Sequence, residues 1–386
     1  MSNHQHRKKV LVAMSGGVDS SVSAALLQDQ DYDVVGCFMR LGSDDSVDMA
    51  DHQDHCAKPL EVDSPSQTAK PNQQGCCSLN DASDARLVAA MLDIPLYVLN
   101  FKNDFGRVID YFVEEYNRGR TPNPCVRCND WLKFGKLVKY AESINADYVA
   151  TGHYARIDRS GTETKLLRGT DTHKDQSYVL FGTQRKVLDR MLLPIGELEK
   201  KQTRQIAEDK GLPVHAKPDS YEICFVPDNN YARFVRKTTP DQITPGPIKN
   251  QEGTVLGTHP GHQHFTIGQR RGLNVALGYP IYVTAKNAGN NTVTIGDAGN
   301  LESNKLVADQ ANWLVDLPID TPINCKIQIR SNSQPTNACI EITPDKKKFR
   351  VQFERPQRAI SPGQAAVCYL GDQLIGGGWI DCAEFN

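Results

Sequence analysis

The chain has 386 residues, a formal net charge of −2 and a calculated isoelectric point of about 6.6. No overall basic excess points to nucleic acid, so any RNA contact must come from local patches. The apolar run after the polar N-terminus is too short for a secretion signal, and no stretch approaches the ~20 apolar residues of a membrane helix. We therefore expect a soluble, cytoplasmic protein whose 11 cysteines have redox, catalytic or metal-binding roles.

The first predicted elements are a strand, a glycine turn and a helix. Val10–Met14 is an apolar run with β-branched members, which indicates a buried strand, and apolar residues recur at helical spacing from Val18. Between them, Gly16 and Gly17 lack Cβ atoms, so backbone N–H groups can close on a ligand. A helix N-terminus also favours an anion. The pattern predicts a phosphate-binding loop without the Walker ending, against the alternative of an ordinary strand-to-helix turn.

Strands and helices then alternate along the chain. Further strand patterns are Val34–Met39, Ile94–Phe101 and Asp147–Thr151. Helical patterns run from Asn80 or Asp81 to Leu92, from Phe105 to Tyr116 and from about Trp131 to Ser143. This alternation predicts an α/β domain with a doubly wound parallel sheet. Ligands of such sheets bind at the carboxyl ends of the strands, where the turn after Met14 would lie.

A polar segment over 40–77 interrupts this alternation. It is rich in Asp, Ser, Gln and Pro and reads as a long surface loop. It also holds several metal-binding residue types, whose irregular spacing favours solvated loop residues over a metal site. They are His52, His55, Cys56, Cys76 and Cys77.

The pattern changes after about Leu212. Residues 217–282 mix Pro, Gly and short apolar pieces and predict a small central linking domain. Short strands with Gly, Asn and Pro turns follow from Pro280, which predicts a small antiparallel β-barrel. The strand patterns are Ile281–Thr284, Thr292–Ile295, Lys326–Arg330, Ala338–Ile342, Phe349–Phe353, Ala365–Leu370 and Leu374–Ile380. We expect domains over 1–215, 216–285 and 286–386.

A second motif, Thr121-Pro-Asn-Pro-Cys-Val-Arg-Cys-Asn129, places Cys125 and Cys128 at C-x-x-C spacing. This spacing supports a disulfide, a redox pair or half of a metal site, and zinc is the weaker interpretation because no second pair of similar spacing is near. Arginines 118, 120 and 127 surround the pair and would favour thiolate. Cys224, taken alone, is typical of a buried cysteine.

The Ser15-Gly-Gly-Val-Asp-Ser20 string resembles the PP-loop of ATP pyrophosphatases, and together the motifs resemble the tRNA-specific 2-thiouridylases over nearly the whole chain. The other matching strings are Gly119-Arg-Thr-Pro-Asn-Pro124, Cys128-Asn129, Thr151-Gly-His-Tyr-Ala155, Lys174-Asp-Gln-Ser-Tyr178, Ile223-Cys-Phe225, Gly268-Gln-Arg-Arg-Gly272, Ser361-Pro-Gly-Gln364 and Gly376-Gly-Gly378. So many motifs in order are more specific than any one of them.

The resemblance implies 2-thiolation of the wobble uridine of tRNA, with ATP and Mg²⁺ used and AMP and pyrophosphate released. It implies that tRNA binds through its anticodon arm, and that a cysteine desulfurase or sulfur-relay protein donates a persulfide. The residues that it assigns to ATP are Ala13, Met14, Ser15, Gly16, Gly17, Val18, Asp19, Ser20, Met39 and Gly152. For Met39, a core methionine is the alternative.

By the same resemblance, Cys224 carries the persulfide and Cys128 is the nucleophile that releases the sulfur, which leaves a Cys128–Cys224 disulfide. The target base would leave its stack and meet Asn123, Pro124 and Cys125. The resemblance assigns further residues to tRNA, and the glycines around Arg270 and Arg271 suggest that these two arginines contact phosphate. The full set is His153, Lys174, Asp175, Gln176, Arg270, Arg271, Arg330, Ser331 and Gln364. His153 could instead be structural. Lysines 133, 136 and 139, at three-residue spacing, would form either a phosphate-binding stripe or a solvated helix face.

One departure from the family pattern concerns Cys125, where many members have Asp. Three thiols, Cys125, Cys128 and Cys224, could hold a 4Fe–4S iron–sulfur cluster as an alternative mechanism. Two other functions remain alternatives: a PP-loop ligase that adenylates a small carbonyl and adds ammonia, and a nucleotide-regulated RNA-binding protein. Neither alternative gives the two cysteines a task.

Overall fold

The computed structural model describes residues 7–42, 79–219, 223–226, 228, 230–319 and 321–384. The histidines and cysteines of the predicted polar loop, residues 52, 55, 56, 76 and 77, lie outside the described residues. Within the described ranges, no helix is both long enough and apolar enough to cross a membrane.

The N-terminal part contains a parallel sheet, which confirms the predicted α/β fold. Its strands are β1 (Lys9–Ala13), β2 (Asp33–Arg40), β3 (Leu96–Asn100), β4 (Tyr148–Ala150) and β7 (Met191–Leu192), in the spatial order β3-β2-β1-β4-β7. In the central strand β1, Val10, Leu11 and Val12 are fully buried. A strand covered on both faces needs apolar residues at successive positions, which explains the unbroken run in the sequence.

Helices cover both faces of this sheet. They are α1 (Val18–Asp29), α2 (Leu79–Met91), α3 (Lys102–Asn117), α4 (Pro124–Arg127), α5 (Leu137–Ser143) and α6 (Lys200–Asp209). Alternate residues of β1 point to opposite faces. Val10 and Val12 therefore join the core cluster that contains residues of α1, α2 and α6, whereas Leu11 and Ala13 join the cluster that contains residues of α3 and α5.

A four-stranded sheet forms the middle part. Its strands are β8 (Gly246–Lys249), β9 (Val255–His259), β10 (Tyr282–Asn287) and β11 (Thr292–Gly296), in the order β10-β11-β8-β9. Helix α7 (Tyr231–Thr238) precedes the sheet. Ile248, Val283, Val293 and Ile295 form its core. Because β10 and β11 pair within this sheet, the sheet extends past the domain boundary proposed at residue 285.

The C-terminal part is a closed antiparallel barrel, as the sequence predicts. Its strands are β12 (Glu302–Trp313), β13 (Ile323–Gln328), β14 (Thr336–Ile342), β15 (Phe349–Arg358), β16 (Ala365–Leu370) and β17 (Gln373–Glu384). They follow the order β12-β15-β14-β13-β16-β17, and pairing of β12 with β17 closes the barrel. Strands β5 (Ala155–Asp158) and β6 (Lys165–Arg168), from the N-terminal part, extend the same sheet beyond β17.

The predicted helix over Trp131–Ser143 differs from expectation, because a π-helical segment, Cys128–Lys136, precedes α5. A Cβ atom on Gly135 would lie 2.7 Å from the Asp130 carbonyl oxygen, so glycine is what fits there. The three-residue lysine spacing that defines one face of an α-helix does not apply in the wider π turns. Lys136 instead forms an ion pair of 2.7 Å with Asp104 of α3.

Two helical glycines give a matched test of this segment. Gly135→Ala forces a shift against backbone and should lower the free energy of unfolding by ~1–3 kcal/mol. Gly106 lies in α3, where a new methyl group would meet nothing within 4 Å. Gly106→Ala should therefore raise the free energy of unfolding by ~0.5–1 kcal/mol. Urea unfolding of both variants measures the two effects, and equal effects at the two positions would contradict the steric account of Gly135.

Candidate active site

The loop after β1 leads directly into the first turn of α1. Gly16 has a φ of 73°, and a Cβ atom there would lie 2.1 Å from the Asp81 carbonyl oxygen. Gly17 occupies the helix N-cap and offers no side-chain cap. The first N–H groups of α1 therefore keep their donors for an anion. The Ser20 hydroxyl turns back to accept a hydrogen bond from the Ser15 N–H at 3.1 Å.

The end of β4 lies against this loop. A Cβ atom on Gly152 would come within 2.7 Å of the Asp19 carbonyl carbon and the Ser20 nitrogen. The structure thus brings together the loop and Gly152, which the sequence assigned to one ATP site from distant motifs. Ala13 and Met14 are buried. Met39 lies at the end of β2 and packs against the larger core cluster.

Two lysines that the sequence analysis missed contact the loop. Lys200 at the start of α6 donates to both carboxylate oxygens of Asp19, at 2.7 and 2.8 Å. The Lys217 Nζ donates to the Gly16 carbonyl oxygen at 2.9 Å, and the Tyr154 hydroxyl donates to Asp19 Oδ1 at 2.9 Å. The ammonium groups of both lysines therefore lie at the loop where phosphates would bind. No local sequence pattern marks them, because they reach the loop only through the tertiary fold.

The C-x-x-C motif begins a short helix. The Asn123 side chain caps α4 by accepting from the Val126 N–H at 3.4 Å, and Pro124 occupies the first turn, where its missing N–H does no harm. Cys125 is exposed, whereas Cys128 is partly buried at the junction of α4 and the π-helical segment. The sequence order Asn-Pro-Cys therefore fixes the start of the helix that carries both thiols.

The barrel holds the chain that precedes this helix. The Gln364 side-chain amide donates to the carbonyl oxygens of Thr121 and Pro122, each at 3.1 Å. The Thr121 N–H donates to the Pro362 carbonyl oxygen at 2.8 Å. Gln364 was assigned to tRNA from the sequence, and here its amide nitrogen supports the cysteine motif.

Arg127 lies in an aromatic cage, defined here as Tyr111, Trp131 and Trp379. Its guanidinium carbon is 5.1 Å from the Tyr111 and Trp131 ring centres and 4.3 Å from that of Trp379. It also donates to the Gln310 side chain at 3.1 Å. Burial lowers the pKa of Arg127.

The other two arginines near the cysteine motif form ion pairs. Arg118 pairs with Glu114 and Glu115, and Arg120 pairs with Glu115 and Asp381. Arginines 118, 120 and 127 were expected to favour the thiolates of the motif. Each of them has a carboxylate or aromatic partner of its own, and their effect on the thiols stays a prediction.

Cys224 is partly buried and, like Cys128, packs against the larger core cluster. The neighbouring Phe225 ring lies 5.6 Å from Phe105 and 5.1 Å from Phe112, both in α3. Both cysteines thus contact the same core cluster.

The alternative mechanism, an iron–sulfur cluster, needs Cys125, Cys128 and Cys224 to form one ligand set. Among the residues that the structure describes, no three His, Cys, Asp or Glu side chains group in a way that could hold a metal ion. The arrangement of Cys125, Cys128 and Cys224 therefore does not fit a 4Fe–4S cluster.

Several residues assigned to tRNA have partners within the protein. His153 is buried, its Nδ1 lies 2.7 Å from the Thr151 hydroxyl, and burial lowers its pKa well below the usual value. This environment favours the structural alternative for His153. Asp175 accepts from Arg168 Nε at 2.6 Å, and the Gln176 side-chain oxygen accepts from the Tyr154 N–H at 2.9 Å.

The arginines of the middle part and of the barrel differ in their surroundings. Arg270 and Arg271 are exposed between Gly268 and Gly272, whose φ values are 88° and 75°. Arg330 donates to the Ala359 carbonyl oxygen, and the next residue in the chain, Ser331, is exposed. Gln176, which was also assigned to tRNA, is exposed like Arg270, Arg271 and Ser331.

The close approach at Gly152 gives a direct test of the nucleotide site. Gly152→Ala places a methyl group against the backbone of the first turn of α1 and should weaken ATP binding by ~10-fold or more. Gly161→Ala is the matched control, since its new methyl group would meet nothing within 4 Å. Calorimetric titration with ATP measures both variants, and unchanged binding by a folded Gly152→Ala protein would remove Gly152 from the site.

Three family profiles cover most of the chain. The profile described as tRNA methyl transferase HUP domain matches residues 8–228, the PRC-barrel domain of the same group matches 232–297, and an aminomethyltransferase beta-barrel domain matches 303–380. A solved structure of the U34-tRNA thiolase NcsA from Methanococcus maripaludis is 17% identical and covers 62% of this chain and 69% of its own, with a TM-score of 0.34. That similarity is too low to support an argument.

Curated relatives match at much higher identity. A tRNA-specific 2-thiouridylase from Carboxydothermus hydrogenoformans is 47% identical over 378 residues, which are 97% of this chain and 98% of the relative. The enzyme of the same name from Clostridium perfringens is 43% identical over 376 residues, with coverage of 97% and 99%. At this identity over nearly the full length of both proteins, the chain belongs to the family of tRNA-specific 2-thiouridylases.

Proposed function

We propose that this chain catalyses the ATP-dependent 2-thiolation of the wobble uridine of tRNA and releases AMP and pyrophosphate. The coarser statement, sulfur transfer to tRNA, follows from membership of the family. One observation supports the finer statement most directly: α1 begins with an uncapped N-terminus that suits phosphates, and Cys128 and Cys224 both pack against the core cluster that contains Leu11 and Ala13 of β1, the strand before that helix. Thiolation needs both, because an oxygen must be activated and a sulfur must replace it.

In the first step, the uridine 2-carbonyl oxygen attacks the α-phosphorus of ATP, and pyrophosphate leaves. The oxygen, a poor leaving group, then carries AMP and becomes a good one. The N–H groups of the loop from Ser15 to Ser20 would hold the phosphates, and Lys200 and Lys217 are the nearest cations.

Mg²⁺ would enter this site together with ATP. Mg²⁺ at nucleotide sites uses one or two carboxylates with phosphate oxygens and waters. Asp19 is the carboxylate of the loop itself and would be its protein ligand. The ion would neutralise charge on the phosphates.

In the second step, the Cys128 thiolate attacks the Cys224 sulfur of the Cys224 persulfide. The sulfur–sulfur bond of the persulfide breaks, its terminal sulfur leaves as hydrosulfide, and a Cys128–Cys224 disulfide forms. Hydrosulfide attacks C2 of the activated uridine and displaces AMP. A thiol reductant then supplies two electrons to regenerate both thiols. A cysteine desulfurase or a sulfur-relay protein would restore the persulfide.

The target base would bind beside Cys128. Its 2-carbonyl is accessible only after the base has left its stack, so the enzyme must receive a flipped nucleotide. Asn123, Pro124 and Cys125 precede Cys128 in the chain and would meet that base; of the three, Cys125 is exposed. The accessible pair Arg270 and Arg271 would contact phosphates of the anticodon arm.

The assay that tests the function combines protein, ATP, a persulfide donor and unmodified tRNA, followed by mass spectrometry of the nucleosides. The expected product is 2-thiouridine, formed only when ATP is present. The same spectra separate thiolation from methylation, the activity in the name of the matching family profiles. Folded protein that yields no thiolated nucleoside would refute the proposal.

The cysteine roles make a sharper prediction. Cys128→Ser and Cys224→Ser should each lower 2-thiouridine formation by at least ~100-fold, because each removes a sulfur that must form a bond. ATP binding should be unchanged in both. Cys382→Ser, at an exposed cysteine of β17, is the matched control and should keep full activity. Full 2-thiouridine formation by Cys128→Ser would contradict the role of Cys128 as the nucleophile.

A further inference from the structure

The turn that carries Arg270 and Arg271 is hydrogen-bonded to β10. The Gly268 N–H donates to the Val283 carbonyl oxygen at 2.8 Å, and the Val283 N–H donates to the Gln269 carbonyl oxygen at 2.9 Å. The Gln269 side chain also donates to the Arg271 carbonyl oxygen at 2.9 Å. Both arginines are therefore exposed on a turn whose backbone is held in place.

The end of the barrel strand β15 lies against the same turn. A Cβ atom on Gly268 would be 2.9 Å from the Ala359 Cβ atom, so the middle part and the barrel approach closely here. Arg358, the residue before Ala359, is exposed, and its guanidinium carbon lies 4.5 Å from the ring centre of Tyr282 in β10. A ring of the middle part thus orients an arginine of the barrel.

Arg330 lies beneath this arginine. Its guanidinium donates to the carbonyl oxygens of Arg358 and Ala359. Burial lowers the pKa of Arg330, Tyr178 acts in the opposite direction, and the positive charge of Arg358 lowers the pKa further. The two guanidinium groups are therefore close enough to repel each other, and a bound anion would relieve this repulsion.

These four residues, Arg270, Arg271, Arg330 and Arg358, are called here the junction arginines. In the described part of the chain, none of them forms an ion pair with a carboxylate. Glu302 is opposite Arg358 in the pairing of β12 with β15, and even these two side chains form no ion pair. Other arginines, such as Arg185 and Arg190, do have carboxylate partners. In a chain of net charge −2, four arginines without carboxylates indicate a surface for an anion.

An aromatic cavity beside Arg270 indicates the kind of anion. The cavity has a volume of about 410 Å³ and is lined by Arg270 and by residues 275–281, among which Tyr279 is 57% exposed. An exposed ring next to guanidinium groups suits RNA, since bases stack on rings while phosphates bind arginines. An acidic protein would use the charges but has no need of the ring.

The junction arginines also lie near the cysteine motif. Burial raises the pKa of the Tyr178 hydroxyl, and both Asn123 and Arg330 act against this rise. Tyr178 is therefore close to Arg330 and to Asn123, the residue that would meet the target base. An RNA strand that places its base at Asn123 would continue over the arginines.

We propose that the junction arginines bind phosphates of the tRNA strand that leads to the target uridine, and that Arg358 is a tRNA contact formed jointly by the middle part and the barrel. The inference rests on the proposed function and adds a path for the RNA strand. Contacts of this kind carry no sequence information, so they hold tRNA without selecting the base.

The test measures binding of unmodified tRNA by fluorescence anisotropy over a series of salt concentrations, without ATP or a sulfur donor. Arg358→Gln should weaken binding by ~10-fold at low salt, the loss expected for one charge-assisted hydrogen bond. It should also lower the slope of log Kd against log salt by ~1, the value for one phosphate contact. The loss should be equal for tRNAs that are not thiolated. Arg358→Lys, which keeps the charge, should restore most of the slope.

Arg86→Gln is the matched control, because it removes the same charge from an exposed arginine of α2. It should bind tRNA as the wild type does. An unchanged salt slope in Arg358→Gln, or an equal loss in Arg86→Gln, would overturn the proposal. A loss confined to one tRNA sequence would overturn it as well, since phosphates are common to all tRNAs.

The binding measurements are separate from the thiolation assay. A wild type that binds tRNA through Arg358 but makes no 2-thiouridine would refute the proposed function and keep the RNA surface. If thiolation occurs, Arg358→Gln should raise the KM for tRNA and leave kcat unchanged. Normal thiolation with unchanged KM in Arg358→Gln would refute the surface alone.

Discussion

The buried guanidinium of Arg127 is the interaction on which the arrangement of the site depends. A buried charge is unfavourable unless partners surround it, and Arg127 finds them in the rings of Tyr111, Trp131 and Trp379 and in the side chain of Gln310. Two of the rings belong to the N-terminal part, whereas Trp379 and Gln310 belong to the barrel. Contacts from the barrel therefore help to hold the helix that carries the C-x-x-C motif in its observed position.

Much of the fold could be predicted because periodicity reports burial. The unbroken apolar run of β1 predicted a buried strand, and the helical spacing of apolar residues in α3 predicted a helix. Short strand patterns between turns predicted the barrel. Strand β12 was not predicted, because Glu302–Trp313 has polar residues at many positions and shows no clear apolar pattern. The π-helical segment was not predicted either. Gly135 avoids a clash with the Asp130 carbonyl oxygen, and this clash depends on a helix geometry that side-chain periodicity does not encode.

The residues of the candidate site also fall into those that the sequence could predict and those that it could not. Local motifs indicated the loop at Ser15 and the C-x-x-C pair, whereas the role of Cys224 came only from the family resemblance. Lys200 and Lys217 were missed because their importance comes from long-range ion pairs. The resemblance assigned the Lys174-Asp-Gln-Ser motif to tRNA, but two of its residues also form hydrogen bonds within the protein. Asp175 accepts one from Arg168, and the Gln176 side chain accepts one from the backbone N–H of Tyr154.

The bonds from Gln364 to the carbonyl oxygens of Thr121 and Pro122 have a consequence for biosynthesis. During translation, Cys125 and Cys128 leave the ribosome long before Gln364 and Trp379. A nascent chain can therefore build its parallel sheet early but cannot hold the cysteine motif in its final position until the barrel strands have emerged. Cys125 and Cys128 can therefore take their observed position only after the barrel has been synthesised.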